Sequence, residues 1–201
     1  MAALPTAPSR LIAAVGPCLV EADIEVLTVQ VLLDRAGVSR RTFYKYFDGL
    51  PELLLAAYEQ VCDQVEREII TAVIDAKGLR AKAQAAVDTW IDVMTRPGSS
   101  FLPLHSMAAQ PQGPMHARFE LFVTRGVELM NLAVHSRTGV VADPYIYRIV
   151  VVGADALLRH VARQGPITEP ERARIHLAVR AMHLGMFTVS SGGGPAPSNP
   201  H

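Results

Sequence analysis

The chain has 201 residues, of which 50% are hydrophobic and 19% charged, and its 19 basic residues balance its 19 acidic ones. This length allows one good core, or a small domain beside a larger one. The zero net charge excludes a strongly basic or acidic protein, so any contact with a polyanion must depend on local charge. The two cysteines, Cys18 and Cys62, lie in apolar helical patterns, which indicates buried thiols in a reducing compartment.

A membrane segment is not expected. Residues 11–20 imitate a short secretory segment, but the cluster of positive charge that should precede it is missing. The most apolar predicted helix, near 145–161, is interrupted by Arg148, Asp155 and Arg159. We therefore expect a cytoplasmic protein.

The hydrophobic pattern predicts helices throughout. Proline and glycine fall at the joints, and no alternating strand pattern occurs. Between a flexible arm (1–9) and a disordered tail (191–201), the predicted helices span about 10–21, 28–35, 39–47, 51–74, 79–95, 102–109 and 114–136, followed by two more. Asp143-Pro144 marks the start of the first of these two, as an N-cap followed by proline. Thr168 and Glu171 form a capping box at the start of the other.

The segment GVSRRTFYKYF, residues 37–47, is the most specific stretch. Ser39 is placed to cap the third helix, with Val38 and Phe43 at the positions of a hydrophobic staple. Phe43 and Phe47 are four residues apart, so they share a face and should enter the core.

A different face of this helix carries Arg40, Arg41, Tyr44 and Lys45 beside the positive end of the helix dipole. A short turn at Gly37 joins it to the preceding helix, as in a helix-turn-helix. A helix of this kind fits the DNA major groove, where Arg reads guanine and Lys contacts phosphate. The pattern therefore predicts a recognition helix.

The stretch VLLDRAGVSRRTFYKYFDGLPELLLAAYEQ resembles the helix-turn-helix signature of the TetR family of transcriptional regulators, over roughly residues 10–60. The matching residues are Ala36, Gly37, Val38, Ser39, Thr42, Phe43, Tyr44, Tyr46 and Phe47. The resemblance implies an all-α fold: an N-terminal three-helix DNA-binding domain (1–50) and a helical-bundle domain for ligand binding and dimerisation (51–190).

The resemblance also implies a function. A homodimer would bind a near-palindromic double-stranded DNA operator, and a small, mainly apolar effector would release it, as in a repressor. The expected DNA-contacting residues are Thr28, Gln30, Ser39, Arg40, Arg41, Thr42, Tyr44 and Lys45. The apolar arcs of the last two helices support dimerisation independently, since one chain cannot easily cover both faces.

The sequence departs from the family pattern at the start of the fourth helix. The family usually has Ser-Lys-Glu there, with a lysine that helps to bind phosphate, whereas this chain has Leu50 before Pro51. Leu50 cannot make that contact. We expect weaker phosphate anchoring, or compensation from Arg10, Thr28 and Gln30.

Several aromatic residues and histidines are candidates for an effector cavity or a metal site. The candidate cavity residues are Trp90, Phe101, His105, Met115, Phe119 and Phe122, although aromatic residues at helical spacing are more often plain core. The seven histidines include no i, i+4 pair and the cysteines no CxxC, so no metal is expected. Without GxSxG, HExxH or a phosphate-binding glycine loop, we expect neither an enzyme nor a cofactor. Asp155 and Arg159 are spaced for an i, i+4 ion pair.

Two alternatives stay open from the sequence. The chain could be a helical small-molecule-binding protein or enzyme with a degenerate DNA-binding head, which Leu50 and the zero net charge would favour. It could also be an architectural DNA binder without an effector, which the absence of a ligand-sized cavity would favour. A steep loss of DNA affinity with salt would distinguish real phosphate contacts from the first alternative.

Overall fold

The structure is a computed structural model, and it describes residues 5–21, 27–138, 143–165 and 167–189. Within these ranges the chain is all-helical, as predicted, and has no strand. The helices are α1 (Ala7–Glu21), α2 (Val29–Ala36), α3 (Arg40–Phe43), α4 (Leu50–Asp75), α5 (Leu79–Thr95), α6 (Phe101–Ala108), α7 (His116–Thr138), α8 (Pro144–Ala162) and α9 (Glu169–Val189). Among these helices, none is both long and apolar enough to cross a bilayer.

Local capping explains the turn between α2 and α3. The Thr28 side chain accepts a hydrogen bond from the Val31 amide (3.3 Å) at the start of α2. Gly37 ends α2 with φ 61°, and its N–H donates to the Leu33 carbonyl. Glycine is favoured there because other residues are strained in the left-handed region. The Ser39 hydroxyl then accepts from the Thr42 amide (3.2 Å), so the predicted Ser39 cap is confirmed.

Two helix boundaries differ from the predictions. The α3 helix ends at Phe43 and not at the predicted Phe47, because the chain tightens into a turn in which the Lys45 amide donates to the Thr42 carbonyl (3.3 Å). Such tightening is a common way to satisfy the last carbonyls of a helix. The α1 helix begins at Ala7, inside the predicted flexible arm, because Thr6 accepts hydrogen bonds from Ser9. Residues 1–4 of that arm and the predicted tail (191–201) lie outside the described residues.

A continuous core links the N-terminal helices to the rest of the chain. Leu11, Leu32 and Phe43 are completely buried, and they belong to the same cluster as Leu53 and Tyr58 of α4. The predicted core role of Phe43 and Phe47 is thus confirmed. With 26 residues, α4 is about 39 Å long. It packs on α1 at one end and on α5 along its length, so it connects the N-terminal head to the C-terminal bundle.

The C-terminal bundle is formed by α5 to α9 around α4. Its helices pack mainly as α7 on α8, α5 on α9, α5 on α7 and α8 on α9. The Asp143 carboxylate accepts from the Tyr145 amide (2.8 Å), and the Glu171 carboxylate accepts from the Thr168 amide (3.0 Å). Both predicted start signals are therefore used, and they determine where α8 and α9 enter the bundle.

Candidate DNA-binding surface and ligand cavity

The side chains of α3 and the following turn divide into a buried face and an exposed face. Phe43 is fully buried, whereas the Tyr44 side chain is 52% exposed. Arg40, Arg41 and Lys45 are also exposed, and the Lys45 ammonium lies 5.4 Å from the centre of the Tyr46 ring. The exposed face thus presents three cations and a phenol on a rigidly capped turn.

A hydrogen-bond chain orders part of this face. Arg40 donates to the Gln30 side-chain oxygen (2.9 Å), and the Gln30 amide donates to Asp34 (2.8 Å). The partner of Arg40 in this contact is neutral, so the contact orients the guanidinium without cancelling its charge. Thr28, Ser39 and Thr42 also lie at the α2–α3 junction; Thr28 and Ser39 act there as caps, and the hydroxyl groups of Ser39 and Thr42 lie 2.9 Å apart.

The start of α4 shows what replaces the usual lysine. Gly49 caps the helix without a side-chain hydrogen bond, and Leu50 packs half-buried against the core. A hydrophobic contact therefore stands in place of a cation. Arg10 donates to the Gly37 carbonyl (3.4 Å), which puts another positive charge beside the α2–α3 turn.

The C-terminal bundle contains a cavity of about 290 Å³. Its walls are formed by α4, α5, α7, α8 and α9, with one contribution from α6. Most lining side chains are apolar. The lining residues are Glu66, Ile69, Ile70, Ala86, Val87, Trp90, His105, Phe122, Val123, Arg125, Gly126, Leu129, Val150, Val151, Ala154, Asp155 and Val179.

A buried polar network forms the inner end of this cavity. His105 Nε2 lies 2.8 Å from Asp155 Oδ1, and His105 Nδ1 lies 2.7 Å from the Tyr58 hydroxyl. Because a carboxylate only accepts, Nε2 carries a hydrogen and donates to Asp155. In the tautomer with a single ring hydrogen, Nδ1 accepts from the Tyr58 hydroxyl. Arg159 donates to the other oxygen of Asp155 (2.7 Å). The network joins α4, α6 and α8, and its hydrogen-bonding groups satisfy one another.

Burial and hydrogen bonds shift the pKa values of Asp155, of Tyr58 and of the neighbouring Cys62 thiol. Burial raises the pKa of Asp155, but hydrogen bonds from His105 and Arg159 outweigh burial and hold that pKa below its ordinary value. Burial raises the pKa of the Tyr58 phenol. Burial likewise raises the pKa of the adjacent Cys62 thiol to about 11. Asp155 is therefore ionised near neutral pH, while Tyr58 and Cys62 are neutral.

Exposed residues mark the mouth of the cavity between α4 and α7. Ile70 is 56% exposed and Leu129 is 37% exposed. Beside them, Arg125 donates to the Glu66 carboxylate across the gap between the two helices. Arg118 also donates to Glu66 (2.9 Å).

Three of the six residues proposed for ligand contact line this cavity: Trp90, His105 and Phe122. The other three, Phe101, Met115 and Phe119, are buried in the core instead. Phe101 stacks on the His105 ring at 4.8 Å and Phe119 lies 5.1 Å from it, so both enclose the histidine.

The sequence did not indicate Glu66 or Arg125 as cavity residues. The sequence signal was their spacing: Glu66 lies three residues before Ile69 on α4, and Arg125 lies three residues after Phe122 on α7, so each pair shares a helix face. For metals, the described residues contain no group of three potential ligands. His176, one of the seven histidines, lies 3.0 Å from the Asp88 carboxylate on α5.

The sequence of the chain matches no protein-family model and no curated protein. Solved structures of similar fold include a TetR-family transcriptional regulator from Streptomyces coelicolor, with a TM-score of 0.71 and 18% identity over 94% of this chain and 92% of that one. A transcriptional regulator from Rhodococcus sp. Rha1 has a TM-score of 0.70 and 17% identity, with 94% of this chain and 100% of that one covered. The transcriptional regulator FadR from Bacillus subtilis, in complex with stearoyl-CoA, has a TM-score of 0.68 and 13% identity, with coverage of 92% and 98%. These similarities extend over both the head and the bundle, and the chain has the fold of the TetR-family transcriptional regulators.

Proposed function

We propose that the protein is a DNA-binding transcriptional regulator that acts as a homodimer and is released from a near-palindromic operator by a small, mainly apolar effector. The observation that carries this proposal is the exposed face of α3 and its turn. This face carries the exposed side chains of Arg40, Arg41, Tyr44 and Lys45. The Ser39 cap and the buried Phe43 hold the helix and its turn in place. A rigid helix end with exposed cations suits the DNA major groove.

Exposed apolar side chains on α8 and α9 support the proposal of a homodimer. On α8, Tyr145 is 75% exposed and Ile149 is 70% exposed. On α9, Leu177 is 71% exposed. Apolar surface on adjacent helices is typical of an interface. A two-fold dimer through α8 and α9 would place two α3 helices on one face of DNA, at about 34 Å for half-sites one turn apart.

The effector part of the proposal is supported by the cavity and by a neighbour of the same fold. The cavity has mostly apolar walls and lies against α4, which also contacts α1 of the head. The B. subtilis neighbour is a complex with stearoyl-CoA, so a protein of this fold can hold a ligand that carries an apolar chain. An effector that binds one conformation of α4 more tightly would shift the equilibrium between DNA-binding and free states.

The test is fluorescence anisotropy with labelled DNA from upstream of the gene, measured across a salt series. We compare the wild type with a Tyr44→Ala/Lys45→Ala variant, and use Lys77→Ala as the charge control, because Lys77 is exposed in the α4–α5 connection. We expect tight, salt-steep binding that the double variant loses and the control keeps. Losing one phosphate contact should lower the salt slope by about 1.

Equally weak binding by wild type and double variant would reject this promoter as the operator. The same result in a selection from randomised DNA sites would reject DNA recognition by α3. Salt-steep binding without preference for sequence would instead favour the architectural alternative.

A further inference from the structure

Among the described lining residues, the polar groups at the inner end of the cavity already bind one another. Both ring nitrogens of His105 are used, by Tyr58 and by Asp155. The second oxygen of Asp155 is used by Arg159. A ligand donor here could use only a remaining lone pair of Asp155, and a ligand acceptor would have to displace a buried hydrogen bond, which is costly in a low-dielectric site. Together with the mostly apolar walls, this favours an apolar ligand part at the inner end.

The mouth of the cavity is different, because its two arginines differ in exposure and in their number of acidic partners. Glu66 is held by two arginines, and the Arg118 side chain, only 9% exposed, also reaches Asp63 (3.2 Å). The Arg125 side chain is 49% exposed and contacts Glu66. If a ligand anion took Arg125, Glu66 would keep Arg118. A ligand cation would instead approach a carboxylate already flanked by two guanidinium groups.

We propose that the cavity binds a compact apolar carboxylic acid. Its hydrocarbon or aromatic part lies along Trp90 and Phe122, and its carboxylate pairs with Arg125 at the mouth. A volume of about 290 Å³ lies at the lower end of small-molecule sites, which favours a short chain or one or two rings. The proposal rests on the proposed function, since it names the effector class of the same cavity.

Binding of this kind has a structural consequence for α4. The ligand carboxylate would replace Glu66 as the partner of Arg125, which removes an ion pair between α4 and α7. Because α4 also packs on α1, the occupied cavity holds α4 less firmly to α7 at a position linked to the head. Ligand binding could in this way change the position of the N-terminal head relative to the bundle.

Trp90 provides a direct test, because it is the single tryptophan of the chain and lines the cavity. Its fluorescence is titrated near neutral pH with decanoate, decan-1-ol and decylamine, which share one chain and differ in charge. Biphenyl-4-carboxylate distinguishes an aromatic acid from a straight-chain one. We expect at least one acid to bind about tenfold more tightly than decan-1-ol, and the amine to bind most weakly, since charge-assisted hydrogen bonds are the stronger class.

Substitutions at the mouth identify the partner of the carboxylate. Arg125→Gln should remove most of the preference for acid over alcohol, while Arg125→Lys should retain much of it. Arg67→Gln is the matched control, because Arg67 is exposed on α4 outside this cavity. Each variant is first checked for an unchanged melting temperature.

Equal or tighter binding of the alcohol or the amine would overturn the proposal. So would an acid preference that survives Arg125→Gln, or the absence of saturable binding by any compound. Release of operator DNA is measured separately. Arg125-dependent acid binding that leaves DNA bound would uphold the ligand class and refute effector release. Intact DNA binding without acid binding would refute the ligand class alone.

Discussion

Replacing Asp155 should destabilise the protein more than any exposed acid would. Its side chain is 2% exposed and accepts from His105 and Arg159. In Asp155→Leu, both donors lose their acceptor and Arg159 is left with an unpaired charge. Breaking a buried ion pair in this way costs about 3–5 kcal/mol. Since the Arg159 side chain is 17% exposed and can reach some water, we expect the lower end, about 3 kcal/mol.

Asp155→Asn separates charge from hydrogen bonding. The amide oxygen can still accept from Arg159, while its NH₂ group would face His105. The imidazole can adapt by moving its hydrogen to Nδ1, which then donates to the Tyr58 oxygen. The hydrogen-bond chain is therefore kept, and only the charge interaction with Arg159 is lost. We therefore expect a loss of about 2 kcal/mol, smaller than in Asp155→Leu.

Urea unfolding at one fixed protein concentration measures these losses, since dimerisation would couple stability to concentration. Asp75→Leu is the control, because Asp75 is exposed at the end of α4 and should change stability by no more than about 0.5 kcal/mol. Adding Arg159→Met to Asp155→Leu should recover part of the loss by removing the unpaired cation. A loss below about 1 kcal/mol in Asp155→Leu, or no recovery in the double variant, would refute the network as described.

Three further predictions follow from single features. Gly37→Ala should cost roughly 1–2 kcal/mol in urea unfolding, because φ 61° is strained for any residue with a Cβ; an unchanged midpoint would contradict this. Ile149→Glu should shift the protein from dimer to monomer in sedimentation velocity, and a persistent dimer would argue against the α8–α9 interface. The pKa of Asp155 is lower in the folded state than its unfolded value of about 4, so its ionised carboxylate contributes fully to the free energy of unfolding above about pH 4. This contribution is lost as the pH falls through the folded pKa, so the destabilisation caused by Asp155→Asn should shrink in acid.

Helix starts could be predicted from the sequence because capping is local. Thr28, Ser39 and Asp143 each act on backbone groups two or three residues away, so the residue types and spacing are sufficient. The predicted end of α3 at Phe47 was wrong, because a short helix can tighten into a turn without a residue such as glycine that marks its end in the sequence. The buried positions of Phe43 and Phe47 did not depend on that boundary, since the turn keeps both side chains on one side.

The cavity could be predicted only in part, because its shape depends on how distant helices pack. Periodicity places Trp90 and Phe122 on inward faces, but it places Phe101 and Phe119 there equally well. What separates them is the packing around His105, whose ring is enclosed by Phe101 and Phe119 while Trp90 and Phe122 line the cavity. A pattern along one helix cannot show on which side of a neighbouring helix a space will remain.

Asp155 shows how far a local rule reaches. The i, i+4 spacing correctly predicts the pair with Arg159, and a carboxylate on an exposed face would need nothing more. On a buried face, however, its second oxygen also requires a donor, because an unsatisfied buried acceptor is costly. That donor must come from another helix, and it must itself lie in an apolar stretch. His105, in the apolar segment FLPLHSMA of α6, meets both conditions across 50 residues of sequence. A single acid inside an apolar helix is thus a physical reason to search the chain for a buried donor.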